Sequence, residues 1–227
     1  MKKFSGFTLA EVLITLGIIG VVAAMTIPIL ITEHQKRTTV TKLQKAISVI
    51  NQAYRLAYDD VGEATAEEAK TLGGKGYYDK YWAPYIKTML YCTSISQCGY
   101  KEKQPYHHLN GNQAEVYIVA PSTRATFYTM DGFLYCILVQ GGAGGILPQS
   151  LIFVDINGAS KPNIIGKDLF YLNRKIDGEK GGVVVPNCEN NTDAYINNEC
   201  KKGAGWCCAE KIRRASWKID KSYPWKG

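Results

Sequence analysis

MKKFSGFTLAEVLITLGIIGVVAAMTIPIL, residues 1–30, decides how the rest of the chain is read. Glu11 stands at the mouth of a run, Val12 to Ile31, that has no charged side chain. The run matches the roughly 20 residues that cross a hydrocarbon core as a helix. A secretory signal would use Lys2 and Lys3 as its basic region and Val22-Ala23-Ala24 as a cleavage site before Met25. Against that, the apolar run continues to Ile31, and an acid at its start is poor signal design. A plain transmembrane anchor would carry Glu11 at a cost of a few kcal/mol, with no return. No Lys or Arg lies within a helical turn or two downstream, so the i to i+4 ion pair is missing. A carboxylate in low dielectric then needs an opposite charge from elsewhere.

Lys2-Lys3 followed by Gly6-Phe7-Thr8-Leu9-Ala10-Glu11-Val12-Leu13-Ile14 resembles the prepilin leader of type IV pilins and type II secretion pseudopilins. The resemblance implies that prepilin peptidase cuts between Gly6 and Phe7, that Phe7 is N-methylated, and that the apolar segment is kept. It also implies a partner for Glu11, the Phe7 ammonium of a neighbouring subunit in a filament core. Pro28 is a second matching feature, expected to kink the helix by removing one backbone bond. By lysine and arginine counts alone, Lys36, Arg37, Lys42 and Lys45 after the span outweigh Lys2 and Lys3 before it. The cysteines and the resemblance override that count and put the bulk of the chain outside the cytoplasm.

Beyond the apolar run, Val40, Leu43, Ile47, Ile50, Tyr54, Tyr58 and Val61 recur every three or four residues, with Lys42, Lys45, Gln52 and Arg55 between them. This predicts an amphipathic continuation. The expected organisation is a leader at 1–6, a hydrophobic transmembrane and assembly helix at 7–32, its amphipathic continuation at 33–61, and an extracytoplasmic α+β domain at 62–227. A break between Pro28 and Gln35 would divide the helix in two.

Asp60 to Gly76 reads as a loop with a short helix at Ala64 to Leu72. The aromatics Tyr77, Tyr78, Tyr81, Trp82 and Tyr85 read as core and rim packing in preference to a stacking surface for sugars or bases. AEVYIVA (114–120), RATFYTM (124–130), FLYCILVQ (133–140) and SLIFVDI (150–156) predict strands of an antiparallel meander, with Asp131-Gly132 as a hairpin turn. Gly141 to Gly145 lacks the Lys-Ser/Thr end of a phosphate loop and reads as a flexible hairpin. DINGASKPNIIGKDLFYL, 155–172, resembles a segment of pseudopilin-like proteins in which such turns follow a strand. Asp155, Asn157 and Asp168 carry oxygens that would suit calcium, but a structural turn is the preferred reading, and no metal or cofactor is assigned.

Seven cysteines with no zinc spacing suit an oxidising compartment. Cys92 and Cys98 flank a short loop and are the easiest disulfide to propose. Cys188, Cys200, Cys207 and Cys208, read as lying in loops, offer one or two more, similar to the disulfide-closed end loop of type IV pilins. The connectivity stays open. Cys136, inside an apolar strand, reads as a buried thiol. His34, His107 and His108 belong to no local catalytic signature. The net charge of +7 and the tail from Lys211 to Lys218, with Trp225, could meet nucleic acid, but a solvated helix face with Trp217 anchored to the sheet is preferred.

The expected fold is therefore α+β and pilin-like: a long N-terminal helix packed on an antiparallel sheet, with a disulfide-containing C-terminal region. The resemblance implies a structural subunit, not an enzyme, of a bacterial secretion pseudopilus or type IV pilus. Its implied partners are prepilin peptidase, other copies or other pilin-like subunits, and inner-membrane lipid before assembly. The competing reading is a membrane-anchored or secreted binding domain that does not polymerise.

Overall fold

The computed structural model describes residues 6, 8–139, 151–176, 182–202 and 204–225. Its longest element, α1 (Leu9–Val61), is a single helix of 53 residues, about 80 Å at 1.5 Å per residue. Both ends have local causes. Thr8 closes the first turn as N-cap. Gly62, at a φ of 69° that side-chain-bearing residues avoid, ends the last turn by donating its N–H to Tyr58 O at 3.0 Å. The helix passes through Pro28 with no non-helical residue, so the alternative of a break between Pro28 and Gln35 does not occur.

A short link leads to α2 (Ala66–Tyr81), where Thr65 caps Glu68 N and the backbone departs from helical angles at Gly73. The segment expected as loop plus short helix is therefore mostly helix, and its aromatic end is core. Tyr77, Tyr78, Tyr81 and Trp82 are all buried.

Six strands follow: β1 (Thr88–Tyr91), β2 (Arg124–Thr129), β3 (Leu134–Leu138), β4 (Leu151–Asp155), β5 (Leu169–Ile176) and β6 (Gly182–Pro186). They form one antiparallel meander in the order β1-β2-β3-β4-β5-β6. The β2–β3 hairpin turns at Asp131-Gly132 as expected, with Gly132 at φ 80° and Thr129 N donating to Phe133 O at 2.9 Å. Gly141 to Gly145 lies outside the described residues. The C-terminal region adds α3 (Asp193–Lys202) and α4 (Cys208–Arg214). Cys200 and Cys208 therefore sit on helices, not in loops.

Both faces of the sheet are buried, in strict alternation. Phe127, Tyr135, Ile137, Val154, Phe170 and Leu172 face a core shared with α1, α2 and α4. Tyr128, Leu134, Cys136, Phe153 and Tyr171 face a second core covered by the chain from Cys92 to Ile118.

That cover corrects the expectation of a strand at 114–120. Ala114, Val116 and Ile118 are buried, as the alternation requires, but the segment has no place in the ladder. The edge of β2 it would need is taken by β1 and by Cys92 N, which donates to Thr126 O at 2.8 Å. Alternating burial specifies an extended chain with one face in a core; a ladder also needs an unoccupied edge.

Candidate functional site: the two halves of the long helix

From Leu9 to Ile31, α1 makes almost no contact with the rest of its chain. Every residue in that stretch is exposed except the half-buried Ala23, and Ile14 and Ile19 each keep 63% of their surface. The helix is long and apolar enough to cross a membrane. An exposed apolar surface this extensive marks a contact with lipid or with other protein.

Glu11 sits in the first turn of this half. Its Oε2 accepts from Thr8 N at 2.8 Å and from Thr8 Oγ1 at 2.7 Å, while Glu11 N donates to Thr8 Oγ1 at 3.2 Å. This is a capping box, written in the sequence as Thr8-x-x-Glu11. The carboxylate thus has local neutral donors but no opposite charge among the described residues. Gly6 lies outside the helix and is exposed, whereas Phe7 is outside the described residues. Pro28 lies inside the helix, and one turn on Thr32 Oγ1 donates to Pro28 O at 2.9 Å.

The second half is fastened to the domain. Thr39, Val40, Leu43, Ala46, Ile50, Ala53, Tyr54 and Ala57 are buried in one stripe. Alanines at 46, 53 and 57 let the backbone lie close to the sheet, so that Tyr135 on β3 donates its hydroxyl to Ala46 O at 2.9 Å. Asn51 grips β6 with both ends of its amide: Nδ2 donates to Val184 O and Val184 N donates to Oδ1, each at 2.8 Å. A helical side chain thereby satisfies the open edge of the last strand. Further along, the buried Arg174 pairs with Glu63 at 2.8 Å and donates to Tyr54 Oη at 3.2 Å, and Tyr54 Oη in turn donates to Glu63.

The segment 155–172 is a turn built around two carboxyls. Asp155 is fully buried; its Oδ2 accepts from Tyr100 Oη at 2.9 Å and Tyr106 Oη at 2.7 Å, and its Oδ1 accepts from Asn157 N at 3.0 Å. Burial pushes its pKa up to about 7, against the pull of the tyrosine hydrogen bonds. Asp168 accepts from Asn157 Nδ2 at 3.2 Å and Ile164 N at 3.0 Å, and burial lifts it to about 6. The oxygens of Asp155 and Asp168 are engaged by protein donors, whereas Asn157 Oδ1 has no partner among the described residues.

The six cysteines noted in the sequence pair as Cys92–Cys98, Cys188–Cys207 and Cys200–Cys208. The neighbours Cys207 and Cys208 thus tie the start of α4 both to the chain after β6 and to α3. Cys136 is a buried free thiol that burial pushes up to about 11. The basic tail is a solvated face only in part, with Arg214, Ser216 and Lys218 exposed. Arg213 and Arg214 both clamp the fully buried Glu210, at 2.6 and 2.7 Å. Lys211 is buried against Asn197 and Ser222, and Trp217 packs on the first core. Cations committed in this way are poorly placed to meet nucleic-acid phosphates.

Comparison with known families agrees with this division of the chain. Residues 1–27 match the prokaryotic N-terminal methylation motif, the prepilin-type signal of type IV pilins and pseudopilins. Residues 29–227 match the family of unknown function DUF6613, and the chain belongs to that family. No curated protein and no solved structure matches the chain.

Proposed function

We propose that this chain is a structural subunit, a pseudopilin or minor pilin, of a type II secretion or type IV pilus filament, and has no catalytic role. Prepilin peptidase cuts between Gly6 and Phe7, Phe7 is methylated, and the mature chain waits in the bacterial inner membrane with its domain outside. It then joins the filament through α1. The observation that carries this reading is the exposed apolar half of α1 with one acid, Glu11, in its first turn. The hydrogen bonds from Thr8 lower the cost of holding that acid in lipid without neutralising it. The residual charge is the attraction that brings in the Phe7 amine of a neighbour.

Intact mass of the mature chain tests the proposal. Loss of Met1 to Gly6 with gain of one methyl group is expected. Loss through Ala24 would mean a secreted domain, and an uncut chain a plain anchor. Glu11→Ala is expected to leave cleavage intact and to abolish incorporation into filaments; normal incorporation would refute the pairing.

A further inference from the structure

Several cations near the point where α1 leaves its apolar half play no part in the interactions described above. Arg37, Lys42, Lys161 and Lys218 have no ion-pair partner among the described residues. In a chain whose domain lies outside the membrane, positive charge here runs against the usual lysine and arginine bias.

Lys42 and Lys161 meet in a cavity of ≈ 580 Å³ between α1 and the turn segment 156–168, together with Lys167, Asn157, Asp168 and Trp225. Asn157 and Trp225, which line it, each carry a buried polar atom, Oδ1 and Nε1, with no hydrogen-bond partner among the described residues. Buried polar groups are normally satisfied, so an orphaned acceptor and an orphaned donor in one cavity ask for a polar ligand. Three lysines against one carboxylate make that ligand anionic. The orphaned acceptor asks that it also carry a donor of its own, such as a hydroxyl group. On α1, His34 and Thr38 line the same cavity. Ile31, three residues before His34, and Ile27, four residues before that, share this helical face and are both exposed. A cationic pocket thus sits directly above an apolar track. A second cavity, of ≈ 620 Å³, opens on another face of α1 between Arg37 and Lys218, but Glu33 and Asp220 dilute its charge and it holds no orphaned polar atom.

We propose that the first cavity seats the headgroup of an anionic, hydroxyl-bearing phospholipid of the phosphatidylglycerol kind, with its acyl chains lying along Ile27 and Ile31. The phosphate meets Lys42, Lys161 and Lys167 and accepts from Trp225 Nε1, while the headgroup hydroxyls donate to Asn157 Oδ1. The inference rests on the reading of the chain as membrane-held before assembly, and it sets the depth at which the domain rides on the bilayer.

The test reconstitutes the full chain in phosphatidylcholine vesicles containing spin-labelled phosphatidylglycerol, phosphatidylethanolamine or phosphatidylcholine. The measured quantity is the relative association of each lipid with the protein. A lysine near an anionic headgroup is worth on the order of fivefold. Phosphatidylglycerol should therefore outcompete phosphatidylcholine at least about fivefold, and the double variant Lys42→Gln/Lys161→Gln should remove the preference. Trp225→Phe keeps the ring beneath Lys167 and should reduce the preference roughly threefold. The control Arg37→Gln/Lys218→Gln, which changes charge at the second cavity, should leave it unchanged. Equal association of the three lipids with the wild-type chain, a preference for phosphatidylethanolamine, or a control variant that loses as much as the double variant would each overturn the proposal. Extraction of the wild-type chain from the vesicles by alkaline carbonate would overturn the membrane-held reading as well, which separates the two failures.

Discussion

The two halves of α1 are one helix by backbone and two objects by surface. Residues 9–31 bury essentially nothing within their own chain, whereas from Thr39 onward a stripe of eight buried residues binds the helix to the sheet. The difference lies in the side chains alone. Isoleucine, leucine and valine all round give a rod with no preferred face; alanine, leucine and tyrosine at three- and four-residue spacings, with lysine and glutamine between, give one. Half a helix can therefore be reserved for a partner without cost to the fold of the other half.

The sharpest way to break this contrast is to cut side chains in the packed half. Leu43→Ala and Ile50→Ala each remove a fully buried side chain and should lower domain stability by about 2–5 kcal/mol in thermal unfolding of the full chain. The same change at Ile50 having no more effect than one at Ile14 would erase the distinction.

Next comes pH. Asp155 in the folded domain holds its proton up to about pH 7, whereas the unfolded carboxyl releases it near 3.8. The folded state binds the proton more tightly, so its stabilisation is complete below about pH 4 and is lost as pH rises through 7. The loss should be on the order of 2–4 kcal/mol, with Asp168 adding in the same direction. Unfolding midpoints at pH 5 and pH 8 should differ for the wild type and much less for Asp155→Asn.

Asn51→Ala should cost about 1–3 kcal/mol, because Val184 N and O lose their partners at the edge of β6. Denaturant titration of the full chain would measure it. Smallest of all, Ile14→Ala and Ile19→Ala should shift domain stability by no more than about 0.5 kcal/mol in the same titration, whatever they do to assembly.

The sequence was most legible where a pattern and its cause are local. The apolar run, the amphipathic stripe, the Asp131-Gly132 hairpin and three of the six strands could be read from periodicity and turn chemistry. β1, β5 and β6 were missed for different reasons. β1 is a four-residue strand at the end of an aromatic stretch, β5 follows directly on a turn that claimed its first residues, and β6 is a short valine run whose edge is closed by Asn51 from a distant helix. The segment 114–120 was misplaced because period two reports burial and says nothing about which edge is open. Thr8, by contrast, is legible: threonine three residues before glutamate at the start of an apolar run is a cap, although nothing in it supplies the opposite charge that the carboxylate calls for. The clamp on Glu210 had no sequence signal beyond two arginines three and four residues later.

The Thr8–Glu11 box has a consequence for maturation as proposed. Both of its residues lie downstream of the bond after Gly6, so removal of the leader would leave the helix start and its cap untouched. Processing would then be silent in shape, adding only a new positive terminus four residues upstream of an acid already held in place. On that account the precursor and the mature subunit share one conformation, and what licenses polymerisation is electrostatic alone.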